Sequence, residues 1–478
     1  MAPYLGAGQG AAPAASSGSA TPTVATGQAG GSAGPGAGPE AGAGAQASAA
    51  GSSGPAAAPS GGGGNGAGFN FDPAAEAAAC PAGPGNAASA PGVTPTSVTV
   101  GNVSGLTGVV ANTFPAGEQS VQALFKAIDA HGGICGRQLV LDVEDDGQDS
   151  SHHAADVADL TPRVLAFVGS TSDGDNGGVQ TMEQAAVPDI GFAINPQRSG
   201  SSVYWSSSGS SEMLVNGRPY GWDTLEKGLV AYHRAPKRLA VLSYNIPVSS
   251  YGANIFSYGM SHYAGSSICF TDESISPATA SLDQDVLEMR QKGCDGVYTT
   301  MDTTGNAKLL QALQRQNFHP PFVASTGAAY SPSLISVAGA PAAQGFQLYL
   351  WSYPLEETGN AMVRMYESQM ATYEPGQQTN FFGTLAWADA QMFVYCLIHA
   401  GRNPTRASLT SQLSALSGWD TGGMFSPTTP KLRQTPGRCI VNMVVQGNGF
   451  ARQWPALPAG VTSGTSGMYC NGDLVPLG

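Results

Sequence analysis

The sequence predicts an α/β protein built from two doubly wound lobes in tandem, joined by a hinge. Three observations point to it. From Val98 onward, short β-rich runs alternate with stretches of helical periodicity, the pattern of βαβ units around parallel sheets. A second series of the same kind begins near Arg238. Ahead of both, the chain up to about Pro95 is almost entirely Ala, Gly, Ser, Pro and Thr, with no Lys or Arg before Lys126. Such a segment has too few large apolar side chains to offset the entropy of ordering it, and reads as a flexible tether. What remains, roughly 360 to 380 residues, is too long for one ordinary core and suits two.

In order, Ser97 to Val103 reads as a strand and Gly117 to His131 as a helix, with Val121, Leu124, Phe125 and Ile128 on one face. Gly132-Gly133 ends that helix. Strands follow at Gln138 to Val143, Val164 to Val168 and Asp189 to Phe192, with helices near Ser151 to Asp159 and Gly178 to Ala186. That completes one Rossmann-like lobe. A Ser- and Gly-rich insertion from Ser199 to Ser210 and a helix near Tyr220 to His233 lead to the second series. Its strands are expected near Arg238 to Leu242, Ser267 to Asp272, Gly296 to Thr300, Pro321 to Ala324 and Gly345 to Tyr349. Its helices are expected near Gly252 to Tyr263, Ala280 to Lys292 and Gly305 to Asn317. Helices at Gly359 to Tyr373, Asn380 to Ala400 and Arg406 to Leu416 arrive after the second lobe is complete, so they are expected to return to the first. A strand at Cys439 to Val445 and a Pro- and Gly-rich tail close the chain. The expected partition is a tether over 1–95, a first lobe over 96–234 with 353–420, a second over 235–352 with 421–455, and a tail over 456–478.

With 33 acidic against 20 basic residues the formal charge is −13, which argues against nucleic acid or anionic membrane as a partner. The best candidate for a membrane span, Phe381 to Ala400, carries Asp389, Gln391 and His399 and reads as an amphipathic helix. Met1 is followed by neither a basic nor an apolar region, so no signal peptide is visible.

Seven cysteines contain no C-x-x-C pair and no Cys/His spacing that suits zinc. Cys80, Cys135, Cys269, Cys294, Cys439 and Cys470 fall near strand ends or loops, which suggests disulfides in an oxidising compartment. Of the possible connectivities, Cys80 with Cys135, Cys269 with Cys294 and Cys439 with Cys470 are expected; Cys396, inside an apolar helix, is expected as a buried thiol. The acids Asp142, Glu144, Asp145, Asp146 and Asp149 lack the order of a calcium loop, and Asp149 or Ser150 suits a helix cap. His152 and His153 are neighbours that do not share a helix face, and read as surface histidines. Gly30-Gly31-Ser32-Ala33-Gly34 and Gly6-Ala7-Gly8-Gln9-Gly10 imitate nucleophile and phosphate motifs but have no strand before them. Neither catalytic residues nor a cofactor or metal site is expected.

Several stretches carry a family resemblance. Val98 to Gly108 resembles the opening strand and loop of the leucine/isoleucine/valine-binding family of periplasmic solute-binding proteins. Ala127 to Arg137 is similar to that family's glycine-rich helix end, and Asp142 to Asp149 to its acidic second-strand loop. Phe167 to Ser172 is similar to its third-strand glycine loop, and Ser250-Tyr251-Gly252 to the loop opening its second lobe. The resemblance runs from about Val98 to Phe450. It implies a type I periplasmic binding protein fold and an extracytoplasmic, monomeric binding protein, not an enzyme, that delivers a small molecule to the permease of an ABC transporter. The alternative is a ligand-sensing ectodomain reporting to a receptor.

In open α/β sheets, ligands lie beyond the carboxyl ends of strands. The strand ends nominate Thr107 and Phe114, Ser170 to Asp173, Ala193 to Asn195, Asn245 to Tyr251, Thr300 to Asp302 and Thr326 to Tyr330. The residues expected to touch ligand are Phe114, Ser170, Ser172, Asp173, Ala193, Asn195, Tyr251, Asp302 and Tyr330, with Trp351 as a further stacking surface. Family members that hold α-amino acids capture the carboxylate after the third strand and the ammonium with an acid of the second lobe. Here Asp173 would repel a carboxylate, and Ser325 to Tyr330 contains no acid. An amino-acid-like compound, an amide or a small organic acid is therefore expected in place of an ordinary branched-chain amino acid.

Overall fold

Parallel strands wound twice build both halves of the molecule. The computed structural model describes residues 69–110, 112–209, 213–215, 218–432 and 438–477. The expected tether over 1–68, with both glycine motifs, lies outside the described residues. Its last part is not a tether. From Phe69 the chain packs on the first lobe: Phe71 is 2% exposed and Phe69 stacks on Trp419 at 5.4 Å. Asp72 caps helix α1 (Pro73–Ala78) by accepting from the N–H groups of Ala74 and Ala75. Phe71, fully buried, supplies apolar area that composition alone concealed, worth about 1.5–3 kcal/mol, and the half-buried Phe69 adds to it.

The first lobe runs β1 (Ser97–Ser104), α2 (Pro115–Asp129), β2 (Gln138–Asp145), α3 (Ser150–Leu160), β3 (Phe167–Val168), α4 (Val179–Gln184), β4 (Asp189–Ile190), α5 (Pro196–Ser199) and β5 (Tyr204–Trp205). All five strands are parallel, in the order β2-β1-β3-β4-β5. The apolar stripe Val121, Leu124, Phe125 and Ile128 of α2 is fully buried, and the N–H of Gly133, at φ +70°, closes on Ile128 O to stop the helix.

Next come β6 (Met213–Val215), β7 (Arg218–Trp222) and α6 (Thr224–Ala231). The helix expected from Tyr220 thus starts four residues late, because Arg218–Trp222 is a strand between two antiparallel partners. The second lobe runs β8 (Arg238–Tyr244), α7 (Pro247–Tyr263), β9 (Ser267–Ile275), α8 (Asp283–Gln291), β10 (Gly296–Thr299), α9 (Thr303–Arg315), β11 (Phe322–Ser325), α10 (Pro332–Ala338), α11 (Ala340–Ala343) and β12 (Gln347–Leu350). Its parallel strands take the order β9-β8-β10-β11-β12, the first lobe's order repeated.

Helices α12 (Ala361–Tyr373), α13 (Phe381–His399) and α14 (Arg406–Ala415) follow, and α12 and α13 pack on α2 of the first lobe. Expected to be amphipathic, α13 is buried all round. It has the length and hydropathy to cross a bilayer, but 94% of that window is buried in protein. Enclosure by α1, α2, α14 and the strands β3 and β4 leaves no face for water. The chain then re-enters the second sheet as an antiparallel hairpin, β13 (Val441–Gln446) and β14 (Gly449–Trp454), turned at Gly447 with φ +64°. The expected irregular tail holds β15 (Leu474–Pro476), which pairs with β7. Disulfides join Cys80 to Cys135, Cys269 to Cys294 and Cys439 to Cys470, and Cys396 is a buried free thiol.

Candidate ligand-binding cleft

Each sheet reverses its winding once, between β1 and β3 in the first lobe and between β8 and β10 in the second. Loops leaving the carboxyl ends of those strands diverge to opposite faces and open a crevice. A cavity of about 280 Å³ takes its walls from both crevices: Phe114 and Asp173 from the first, Tyr244, Thr300, Met301 and Asp302 from the second.

The walls are chiefly apolar and rich in aromatic rings. One cluster joins Phe114 to Phe382 (4.9 Å between ring centroids), Phe192 to Trp351 (5.6 Å) and Trp351 to Phe381 (5.0 Å). It combines first-lobe loops, the start of α13 and the end of β12. At another wall Phe256 lies flat on Tyr298 at 3.4 Å, and the Tyr298 and Tyr349 hydroxyls are 3.3 Å apart. Trp222 of β7, Leu225 and Glu226 of α6, and Leu477 beside β15 complete the lining.

Among the described residues, three carboxyls face this apolar space. Asp302 Oδ1 accepts from the Tyr244 hydroxyl at 2.5 Å and from the Gly305 N–H at 2.8 Å, so it caps α9 while lining the cavity. Burial, with Asp175, Asp146 and Asp302 nearby, pushes the Asp173 carboxyl up to about 7. Burial, with Asp223 adding to it, pushes Glu226 up to about 7 as well. No Lys, Arg or His lines the cavity among the described residues.

Asp173 is held out from a rigid floor. Arg198 grips Asp189 through two 2.8 Å bonds and donates to Ser170 O at 3.0 Å. Asp175 beside it accepts from the Ile194 and Asn195 N–H groups at 2.7 and 3.0 Å. This buried network locks the loops after β3 and β4 together, with partners that no local spacing pairs.

Of the nine residues expected at the ligand, Phe114, Asp173 and Asp302 line the cavity, as does Trp351. The others are taken up by the scaffold. Ser170 Oγ accepts from the Val103 N–H, Ser172 Oγ from the Gly174 N–H, and Ala193 N–H donates to the Tyr204 hydroxyl. Asn195 Nδ2 donates to Asp173 O and Asp175 Oδ1; from that loop Ile194 reaches the cavity instead. Tyr251 is displaced because α7 starts at Pro247. Its helical spacing brings Val248, Ser249, Gly252, Ile255 and Phe256 to the wall, and Tyr251 falls between them. Tyr330 is buried behind the wall, where its hydroxyl donates to Glu356 at 2.6 Å and accepts from the Leu355 N–H. The expected acidic loop is used up in turns: Asp149 caps α3, and Asp145 accepts from Leu106, Thr107 and Gly147. His153, expected at the surface, is 2% exposed and bonded to Asp146 at 2.7 Å.

Sequence reasoning missed Trp222, Glu226, Phe381, Phe382 and Leu477. One signal was legible for Glu226: an acid beside Leu225 and near Leu229 on the apolar face of a short helix.

The family profile of periplasmic binding proteins matches residues 97–449. No curated protein matches the sequence. Among solved structures, a fatty acid ABC transporter substrate-binding protein from Thermomonospora curvata superposes with TM-score 0.60 at 18% identity, over 76% of this chain and 92% of that one. The branched-chain amino acid transporter substrate-binding protein LivJ from Streptococcus pneumoniae, in complex with isoleucine, gives 0.61 at 14%, over 75% and 100%. A branched-chain amino acid ABC transporter protein from Thermus thermophilus with bound valine gives 0.62 at 15%, over 76% and 97%. Identities this low establish a shared fold and leave the ligand to the cavity itself. Since the profile match takes in the parallel strands of both lobes and the helices between them, the chain belongs to the periplasmic binding protein family, solute-binding proteins and not enzymes, and has that family's type I two-lobed fold.

Proposed function

We propose that this protein works outside the cytoplasm as a monomer, holds one small molecule in the cavity between its lobes, and hands it to the permease of an ABC transporter. The observation that carries this reading is the position of the cavity, at the winding reversal of both sheets at once. A ligand there touches both lobes, so binding favours the closed arrangement, and closure is the change of shape a permease can read. Phe114, Asp173, Asp302 and Trp351 are the proposed contacts, joined by Glu226, Phe381 and Phe382 from elements that complete the walls. The three disulfides suit an oxidising compartment.

A thermal-shift screen of the purified chain against amino acids, amines, amides and short carboxylates tests the reading. A ligand at about 100 times its dissociation constant adds roughly 2.7 kcal/mol and raises Tm. Trp351→Ala should then weaken the best hit about tenfold or more, from the loss of a large aromatic contact. An unchanged affinity would remove the cavity from consideration as the site.

A further inference from the structure

Two carboxyls of the cleft, Asp173 and Glu226, lack the donors that Asp302 beside them and the buried Asp175, Asp189 and Asp389 have. Asp189 is gripped by Arg198, and Asp175 accepts from two backbone N–H groups. Asp389, fully buried in α13, accepts from the Ser207 N–H at 2.8 Å. Glu226 is 6% exposed, lines the cavity, and among the described residues has no hydrogen-bond partner beyond its own backbone N–H. The Asp173 carboxyl has no donor there either; the charges that reach it are Asp175, Asp146 and, across the cleft, Asp302. A buried carboxylate without a partner is costly, and the cost is relieved by a cation or by the proton itself.

Among the described residues, no cation of the protein supplies it. Arg198 is committed beneath the floor. Lys227, on the next residue of α6, pairs outward with Asp223 and Asp473. Arg438 is exposed and sits 5.8 Å from the Trp222 ring without lining the cavity. Meanwhile the Tyr298 and Tyr349 rings lie near enough to Glu226 to sense its charge, and Phe256 covers Tyr298. Aromatic faces around a carboxylate in a dry pocket attract a cation by its charge and by the ring quadrupole together. Among the described residues an anionic group has nothing comparable to receive it: the hydroxyls of Ser170 and Ser172 are already engaged by main chain, and none of these residues puts a positive side chain on the cavity wall.

Resting on the solute-binding reading above, we propose that the ligand is a cation, a primary or quaternary amine on an aromatic or branched apolar body with no carboxylate, and that Glu226 and Asp173 are its counter-charges.

The test uses the full chain at pH 8 and four probes that share one ring: 2-phenylethylamine, phenyltrimethylammonium, 2-phenylethanol and 3-phenylpropionate. Binding is followed by the fluorescence of Trp222 and Trp351, both on the cavity wall. The amines should bind at least about tenfold more tightly than the alcohol, and the carboxylate more weakly than the alcohol. Glu226→Gln and Asp173→Asn should each lower the amine-to-alcohol affinity ratio about tenfold. Because both ligands are titrated into one preparation, the ratio is unaffected by a fraction of misfolded variant. The inference is overturned if the carboxylate or the alcohol binds as tightly as the amines, or if neither variant moves the ratio. If no probe of any charge binds, the solute-binding reading of this cavity fails and takes the inference with it.

Discussion

Asp173 and Glu226 couple the cleft to the stability of the whole fold. In the unfolded chain their carboxyls ionise near the ordinary value of about 4, whereas in the folded protein both hold their protons up to about 7. Between those limits the folded state binds more protons than the unfolded one, so their contribution to stability falls as pH rises and levels off above about 7. Asp173→Asn should therefore leave Tm nearly unchanged at pH 4 and raise it progressively toward pH 7.5. The gain should be about 1–2 kcal/mol, allowing for water in the cleft. A Tm difference that is flat or shrinks over that range would contradict the unpaired state of this carboxyl. At this scale the sequence was a partial guide. Strand ends nominated loops of which some reach the cavity, where Phe114, Asp173 and Asp302 line the wall. It could not tell a serine facing the ligand from one bonded to its neighbour's backbone. That choice depends on side-chain rotamers, and Ser170 and Ser172 have turned inward.

Among the elements, β15 and α7 make the sharpest predictions. β15 pairs with β7 and places Leu477 on the cavity wall against Gly221. Its own residues are largely exposed, so removing 474–477 should cost little Tm while accelerating ligand release several-fold, measured by stopped-flow fluorescence; unaltered release would show that the strand is not part of the wall. In α7, Gly259 leaves room for the Glu226 carboxyl, and a methyl group there would occupy the position of Glu226 Oε1. Gly259→Ala should add up to about 1 kcal/mol through helix propensity, yet weaken amine binding by displacing that carboxyl. Tm and affinity moving together would argue against it. Periodicity located the longer helices and the central strands to within a few residues, since apolar spacing is a local property. β7 and β15 escaped notice because both lie in a small antiparallel sheet, and β15 is a strand only by virtue of β7, some 250 residues away in the chain.

For the molecule as a whole, the Cys80–Cys135 bridge closes a loop of 55 residues and fastens the segment around α1 to the first lobe. Replacing both cysteines with serine should destabilise the protein by up to about 4 kcal/mol without changing ligand specificity, because the bridge lies on the first lobe's flank and lines no part of the cavity. Altered specificity would mean that the lobe itself has shifted. The order of the principal βαβ elements, the repeated winding and the presence of two lobes were determined by the sequence alone. They follow from hydrophobic period and from the right-handed, short connections that such periods permit. Which carboxyls remain unpaired, and what ligand they therefore call for, was decided only by the tertiary structure. Charge balance in a cavity depends on which side chains of distant segments meet there, and Asp173, Glu226 and Asp302 share one space only after both lobes have folded.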